Sequence, residues 1–176
     1  MTWTDPKTFT VGELLTAADL NTYVRDNLAF LFDPPTVTVR LTAAEAVASG
    51  SDHAVQWSEA AWDTAASPMW DVGTPGSIVI DRAGVYLIVA QTVWEGTTGD
   101  NTKRDVYIEK NGTDRLGSDS RLSTSSPAGQ VSLITSLAAT DYLEVVVRQL
   151  SGGPLDLQSG QPDTRCTVTW LRPVPA

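Results

Sequence analysis

His53 is the chain's single histidine, and it lies in the Gly/Ser-rich stretch "SGSDHA". Any Ser-His-Asp arrangement would have to use it, and a histidine in such a stretch reads instead as a solvated turn residue. Cys166 is the single cysteine and cannot form an internal disulfide, which fits assembly in a reducing cytoplasm. Within "RCTVTW" it reads as a small buried hydrophobe. No His/Cys/Asp cluster has transition-metal spacing, and the DxDxDG pattern of a calcium loop is absent. Asp114, Asp119, Asp156 and Asp163 fall in expected loops, where the carboxylates of an acidic protein are mostly solvated. Cutting a glycan would need two carboxylates facing a groove, and no spacing selects such a pair. Asn111-Gly112-Thr113 matches a glycosylation acceptor in form but reads as a tight turn. These residues point to a protein that is not an enzyme and takes no cofactor.

Charge narrows the partners. A formal charge of −9 and a pI near 4.4 exclude nucleic acid, because phosphate binding needs clustered Lys and Arg. The same acidity disfavours an anionic membrane surface. The longest apolar run, Val85–Ala90, falls far short of the roughly 20 residues that span a bilayer. "MTWTDPKTFT" has neither a basic nor an apolar leader region, so no secretory signal is expected. Two polar stretches, 117–130 and 150–163, are expected to be loops, with Arg115, Asp119, Arg121, Asp156 and Asp163 as candidate outer contacts. Plain connection between strands is the alternative. Neither stretch holds an aromatic residue to stack on a sugar.

The elements that would position these residues fall into two regions, 1–35 and 36–176. The first opens as an extended arm with Trp3, Phe9, Val11 and Leu14. Thr16 and Asp19 form a capping box, and a helix is expected from Ala17 to Phe32. Ala17, Leu20, Val24, Asn27 and Leu31 recur at helical spacing, and Leu28 widens the stripe. Asp33-Pro34-Pro35 ends it. About 16 residues is marginal for an isolated helix, so this one needs a partner surface. That surface is its own β domain, copies of itself, or another protein. Asn27 either sets register in a self-associating seam or faces solvent.

From Thr36 onward the pattern is β. "TVTVRLT", two strands divided at Arg82-Ala83-Gly84, a hairpin at Asn111-Gly112, two strands turning at 139–141 and the closing "RCTVTWLRPV" follow one another. Strands at this spacing predict an antiparallel sandwich or jelly roll. Leu87 and Val145 are expected in its core.

The order of these segments resembles the tumour-necrosis-factor-like jelly roll, in the variant of complement globular heads. Gly84-Val85-Tyr86, then Val106, Ile108, Lys110, Asn111 and Gly112, then Asp141, Leu143, Val145 and Val147 carry the likeness. The resemblance implies a homotrimer packed through a face rich in aromatic and aliphatic side chains. Trp57, Trp62, Trp70, Tyr86, Trp94 and Trp170 are the candidates for that interface or for the core.

The N-terminal segment is similar to the opening of small virion proteins of tailed bacteriophages, on Trp3, Gly12, Glu13, Thr16, Ala17, Leu20, Asn21, Arg25, Asp26, Asn27 and Leu28. This implies a virion structural protein, made in the bacterial host cytoplasm and joined to the major capsid protein or to tail proteins. Trp3, Phe9, Leu20, Val24, Asn27, Leu28 and Leu31 would anchor it. A capsid decoration or head fibre is one expectation. A minor tail or tail-tip protein binding a host-surface receptor or glycan is the other.

Overall fold

The computed structural model describes residues 3–96, 102–122, 128–160 and 163–174. Period-two runs of β-branched and aromatic residues dominate the strands, which are β1 (Thr36–Arg40), β2 (Glu45–Val47), β3 (His53–Ala54), β4 (Glu59–Asp63), β5 (Ile78–Val79), β6 (Gly84–Val93), β7 (Lys103–Lys110), β8 (Asp114–Leu122), β9 (Ala128–Leu137), β10 (Tyr142–Gln149), β11 (Leu155–Leu157) and β12 (Arg165–Arg172). They form a mainly β, antiparallel jelly roll. One sheet has the order β4-β1-β12-β6-β9; the other runs β3-β10-β7-β8, with β5 beside β10; β11 and β2 make a small ribbon.

Alternation decides which side chains enter the core. Val37 and Val39 of β1, Tyr86, Ile88 and Ala90 of β6, and Cys166, Val168 and Trp170 of β12 point inward from the first sheet. Val106 and Ile108 of β7, with Leu143, Val145 and Val147 of β10, meet them in one buried cluster. The thiol of Cys166 is pushed up to about 12 by its complete burial, as suits a packing residue. Leu87 does not join this core. Inward-facing Tyr86 and Ile88 flank it, so it lies half-buried on the outer face. A one-residue difference in phase moves a side chain to the opposite face.

The turns follow their local chemistry. Asn111 and Gly112 take φ of 54° and 71°, the left-handed central pair of a type I′ turn closed by the Thr113 N–H donating to the Lys110 carbonyl at 3.2 Å. The Asn111 side chain also accepts from the Tyr142 N–H and donates to Asp141. The second turn is closed at Thr140, with φ of 75°.

Both stretches expected as loops are partly strand. β8 carries Arg115, Asp119 and Arg121, and β9 begins at Ala128; residues 123–127 lie outside the described ones. An edge strand needs no apolar period, so its Ser, Asp and Gly residues look loop-like in sequence. Asp156 pairs with Ala46 in the β2–β11 ribbon. Asp163 is buried beside Arg165, their closest atoms 3.7 Å apart. His53, expected in a solvated turn, sits half-buried in β3 with Nε2 2.7 Å from Glu45 Oε1.

Candidate interaction surfaces

The helical segment starts and stops where the caps and prolines dictate, but its middle differs from a plain α-helix. Residues Ala17–Leu20 (α1) are α-helical, Asn21–Asp26 form a π-helical turn, and Asn27–Phe32 (α2) resume the α form. Thr16 Oγ1 accepts from the Asp19 N–H while the Asp19 carboxylate accepts from the Thr16 N–H. An i→i+5 turn holds about one residue more than an α turn, so everything after it is rotated in phase. Asn27 thereby leaves the stripe of Leu20 and Val24 and turns inward with Phe30, both buried. Leu20, Val24, Leu28 and Leu31 remain as one exposed row, Leu28 at 62%.

Asn27 therefore sets no register between helices. Its Oδ1 accepts from the Thr4 N–H at 2.9 Å, and its Nδ2 donates to the Thr4 carbonyl at 2.7 Å. This holds the arm back along the helix. Trp3 likewise turns inward: its ring lies 6.3 Å from Phe30 and 6.2 Å from Trp170, and Arg82 covers Phe30 at 4.8 Å. Two of the expected anchoring residues, Trp3 and Asn27, are thus spent on fixing the segment to the sandwich. Residues before Pro35 and the β region share one core through Phe30.

Lys7 closes the arm. Its ammonium lies 2.6 Å from Glu13 and 2.9 Å from Asp19, with the rings of Phe9 and Tyr23 at 5.0 and 5.9 Å. Hydrogen bonds from Thr16 and then Lys7 bring the Asp19 carboxyl down to about 2. The arm and helix thus present a preformed apolar surface in which Leu14, Leu15 and Phe32 are also exposed.

The outer face of the first sheet is the second surface. Its rows run Trp62–Thr38–Thr167–Val89–Ser132 and Thr36–Thr169–Leu87–Ile134 across the strands. Neither row contains a charge. Of the aromatic candidates, Trp57, Tyr86, Trp94 and Trp170 are buried core residues and Trp70 is partly buried. Trp62 stands apart at 59% exposure, on the edge strand β4.

The outer face of the second sheet is charged and internally paired where Arg115 stacks 3.9 Å above the Tyr107 ring while contacting Glu109 and Asp52. On the other side of edge strand β8, in register with Val106 and Arg104, Asp119 pairs with Arg121 at 2.7 Å and accepts from the Gln130 N–H of β9 at 3.0 Å. Asp156 and Asp163 belong to the ribbon and to β12's approach, so the five expected outer contacts do not converge. Among the described residues, no group of three or more His, Cys, Asp or Glu side chains could hold a metal ion.

No family model matches the chain, and no curated protein matches it. Solved structures do. The tumour necrosis factor Eiger from S. frugiperda shares 18% identity at a TM-score of 0.60, covering 81% of this chain and 96% of that one. Murine APRIL shares 12% at 0.58, over 78% and 98% of the two chains. The globular domain of zebrafish complement 1qA shares 12% at 0.55, over 80% and 99%. Strand order, inward aromatic residues and these likenesses together give the chain a tumour-necrosis-factor-like jelly-roll fold.

Proposed function

We propose that this chain is a non-enzymatic structural protein of a tailed-bacteriophage virion, a homotrimeric capsid decoration or head fibre held by its N-terminal segment. The observation that carries the reading is the exposed row Leu20, Val24, Leu28 and Leu31 on a segment whose opposite side is fixed to its own sandwich. A free chain gains nothing from a rigid, uncovered apolar row, whereas a protein that docks on a shell needs one. The likeness of residues 3–28 to virion-protein openings supports a particle surface as the partner, the major capsid protein in this reading and tail proteins in the alternative. The jelly-roll likeness supplies the trimer, with the uncharged outer face around Leu87 and Ile134 as the self-association surface. Three docking rows on one trimer then act together through effective concentration.

The test keeps the core intact, because deleting the whole segment would strip Phe30 from it. Serine at Leu20, Val24, Leu28 and Leu31 should leave a folded trimer of 18.8 kDa chains that no longer joins particles. Immunogold microscopy of virions then reads the site: label over the head supports decoration. Label confined to the tail end supports the tail-protein alternative. Unimpaired incorporation of the serine variant overturns the anchoring role.

A further inference from the structure

The β7–β8 turn carries a chemistry that the fold both creates and restrains. Of the chain's four asparagines, Asn111 alone precedes a glycine. Both residues take positive φ, a conformation that an Asn-Gly pair adopts at little steric cost. A Cβ at position 112 would also lie 2.9 Å from the Tyr142 hydroxyl, so space as well as φ calls for glycine. The turn therefore imposes an Asn-Gly pair, in which no side chain shields the nitrogen that follows Asn111. That nitrogen can attack the Asn111 side-chain carbonyl.

Asn111 is exposed to water, yet its carboxamide is held at both polar atoms. Oδ1 accepts from the Tyr142 N–H at 3.0 Å, and Nδ2 donates to Asp141 Oδ1 at 2.9 Å. The Asn111 backbone N–H donates to the Tyr142 carbonyl at 2.9 Å. Asp141 is fixed in turn. Its second carboxylate oxygen accepts from the Ala138 N–H at 2.8 Å, and its carbonyl accepts from the Ile80 N–H at 2.8 Å. The bonds from Asn111 and then Ala138 hold the Asp141 carboxyl below its ordinary value, so an ionised acceptor faces Nδ2 at neutral pH. This clamp joins the β7–β8 turn to the β9–β10 turn and, through Ile80, to the segment between β5 and β6. It uses no residue of the first sheet's outer face.

We infer that Asn111 is a self-modification site gated by this clamp, deamidating through a cyclic imide with Gly112 only when the Asp141 and Tyr142 bonds open. The Gly112 nitrogen bonds to the Asn111 side-chain carbonyl carbon, and the bond from that carbon to Nδ2 breaks. The Gly112 amide proton passes through solvent to the departing nitrogen, which leaves as ammonia. Water then opens the imide at either carbonyl, giving aspartate or isoaspartate, with no change of oxidation state. Nδ2 is the leaving group, so its bond to Asp141 cannot survive the step. The product cannot restore it. An aspartate sets a second anion against Asp141, and an isoaspartate also lengthens the turn backbone by one carbon. Opening at this end of the sandwich is thus recorded irreversibly, whatever the chain does in a particle.

The test incubates the full-length protein, folded and unfolded in guanidinium chloride, at neutral and mildly alkaline pH. Peptide mapping by mass spectrometry in heavy-oxygen water measures deamidation at Asn111 and separates aspartate from isoaspartate. The unfolded chain should react there, faster at the higher pH. The folded chain should react at least about tenfold more slowly, because the rate follows the open population. Asp141→Ala, shown by circular dichroism to be folded, should lose most of that protection. Asn111→Asp should melt below the parent, and adding Asp141→Asn should recover part of the loss. Equal rates in the folded and unfolded chain overturn the gate, as does a folded Asp141→Ala protein that reacts no faster than the parent. Absence of reaction at Asn111 in the unfolded chain overturns the site itself. Should Asp141→Ala fail to fold, the folded and unfolded rates and the Asn111→Asp melting temperature decide. A melting temperature equal to the parent's overturns the claim that the product cannot restore the clamp.

Discussion

Phe30 and Trp170 meet edge to face, with ring centroids 4.8 Å apart and planes at 88°. One ring belongs to the last turn of the N-terminal helix and the other to the last strand of the sandwich. Edge-to-face contact is a favoured aromatic geometry, and here it joins the two ends of the chain. Phe30→Ala should therefore cost about 3 kcal/mol and also loosen the arm, since Trp3 rests on the same pair. Chemical denaturation gives the first effect. Faster proteolysis of residues 3–16 gives the second; an arm as protected as in the parent protein would show that Asn27 and Lys7 suffice.

Gly84 lies against the same tryptophan, so an added Cβ would overlap the Trp170 indole. Gly84→Ala should destabilise by about 1–3 kcal/mol through overpacking. Thermal unfolding checks this, and a melting temperature equal to the parent's would mean that Trp170 moves aside freely.

Leu87 and Val145 separate folding from assembly. Val145 is 2% exposed, and Val145→Asp would bury an unpaired charge at a cost of several kcal/mol, comparable to a domain's whole stability. No folded protein is expected. Leu87→Asp places its charge on the outer face and should give a folded monomer. Light scattering and circular dichroism distinguish the two, and a trimeric Leu87→Asp protein would place the self-association surface elsewhere.

The Lys7 cluster predicts acid opening of the arm. Asp19 is held down by Thr16 and Lys7, and Glu13 by its hydrogen bond with Lys7. Both carboxyls titrate below their unfolded values, so their contribution is complete above about pH 5 and is lost as the pH falls toward 2. Lys7-to-Phe9 contacts in NMR spectra should be present at about pH 5 and weaken in that window. Persistence at the acid end would assign the arm's closure to Trp3 and Asn27 alone.

Glu144 shows the opposite sign. Its partial burial, and then Glu109 directly across the strand pair, push its carboxyl up. The charged form is therefore disfavoured in the folded state, and stability falls as the pH rises through that raised value. Glu144→Gln should stabilise the protein at neutral pH by on the order of 0.5 kcal/mol, the scale of a cross-strand pair. The gain should vanish at acid pH, where Glu144 is protonated in the folded and the unfolded chain alike. A neutral or destabilising effect at pH 7 would mean that Glu144 has a compensating partner.

The sequence by itself determined what depends on neighbours along the chain. Thr16 with Asp19, Asp33 before two prolines, Asn111-Gly112 and the alternation of Leu143, Val145 and Val147 are local signals. They set the helix ends, the hairpin turn and the strands that make a jelly roll legible. The short or polar strands were not legible. β8 alternates no apolar face and β11 spans only Leu155–Leu157, so Arg115, Asp119, Arg121 and Asp156 looked like loop residues. Tertiary packing decided the rest. The π-helical turn rotated Asn27 and Phe30 inward and left Leu20, Val24, Leu28 and Leu31 outside, a choice that spacing alone does not contain. Phase on β6 put Leu87 on the outer face, although its composition matches that of its buried neighbours. Six tryptophans are alike in sequence, yet Trp57, Trp94 and Trp170 fill the core while Trp62 stands exposed on edge strand β4. Burial is a property of the faces that meet, and only the folded arrangement of sheets and helix determines which faces those are.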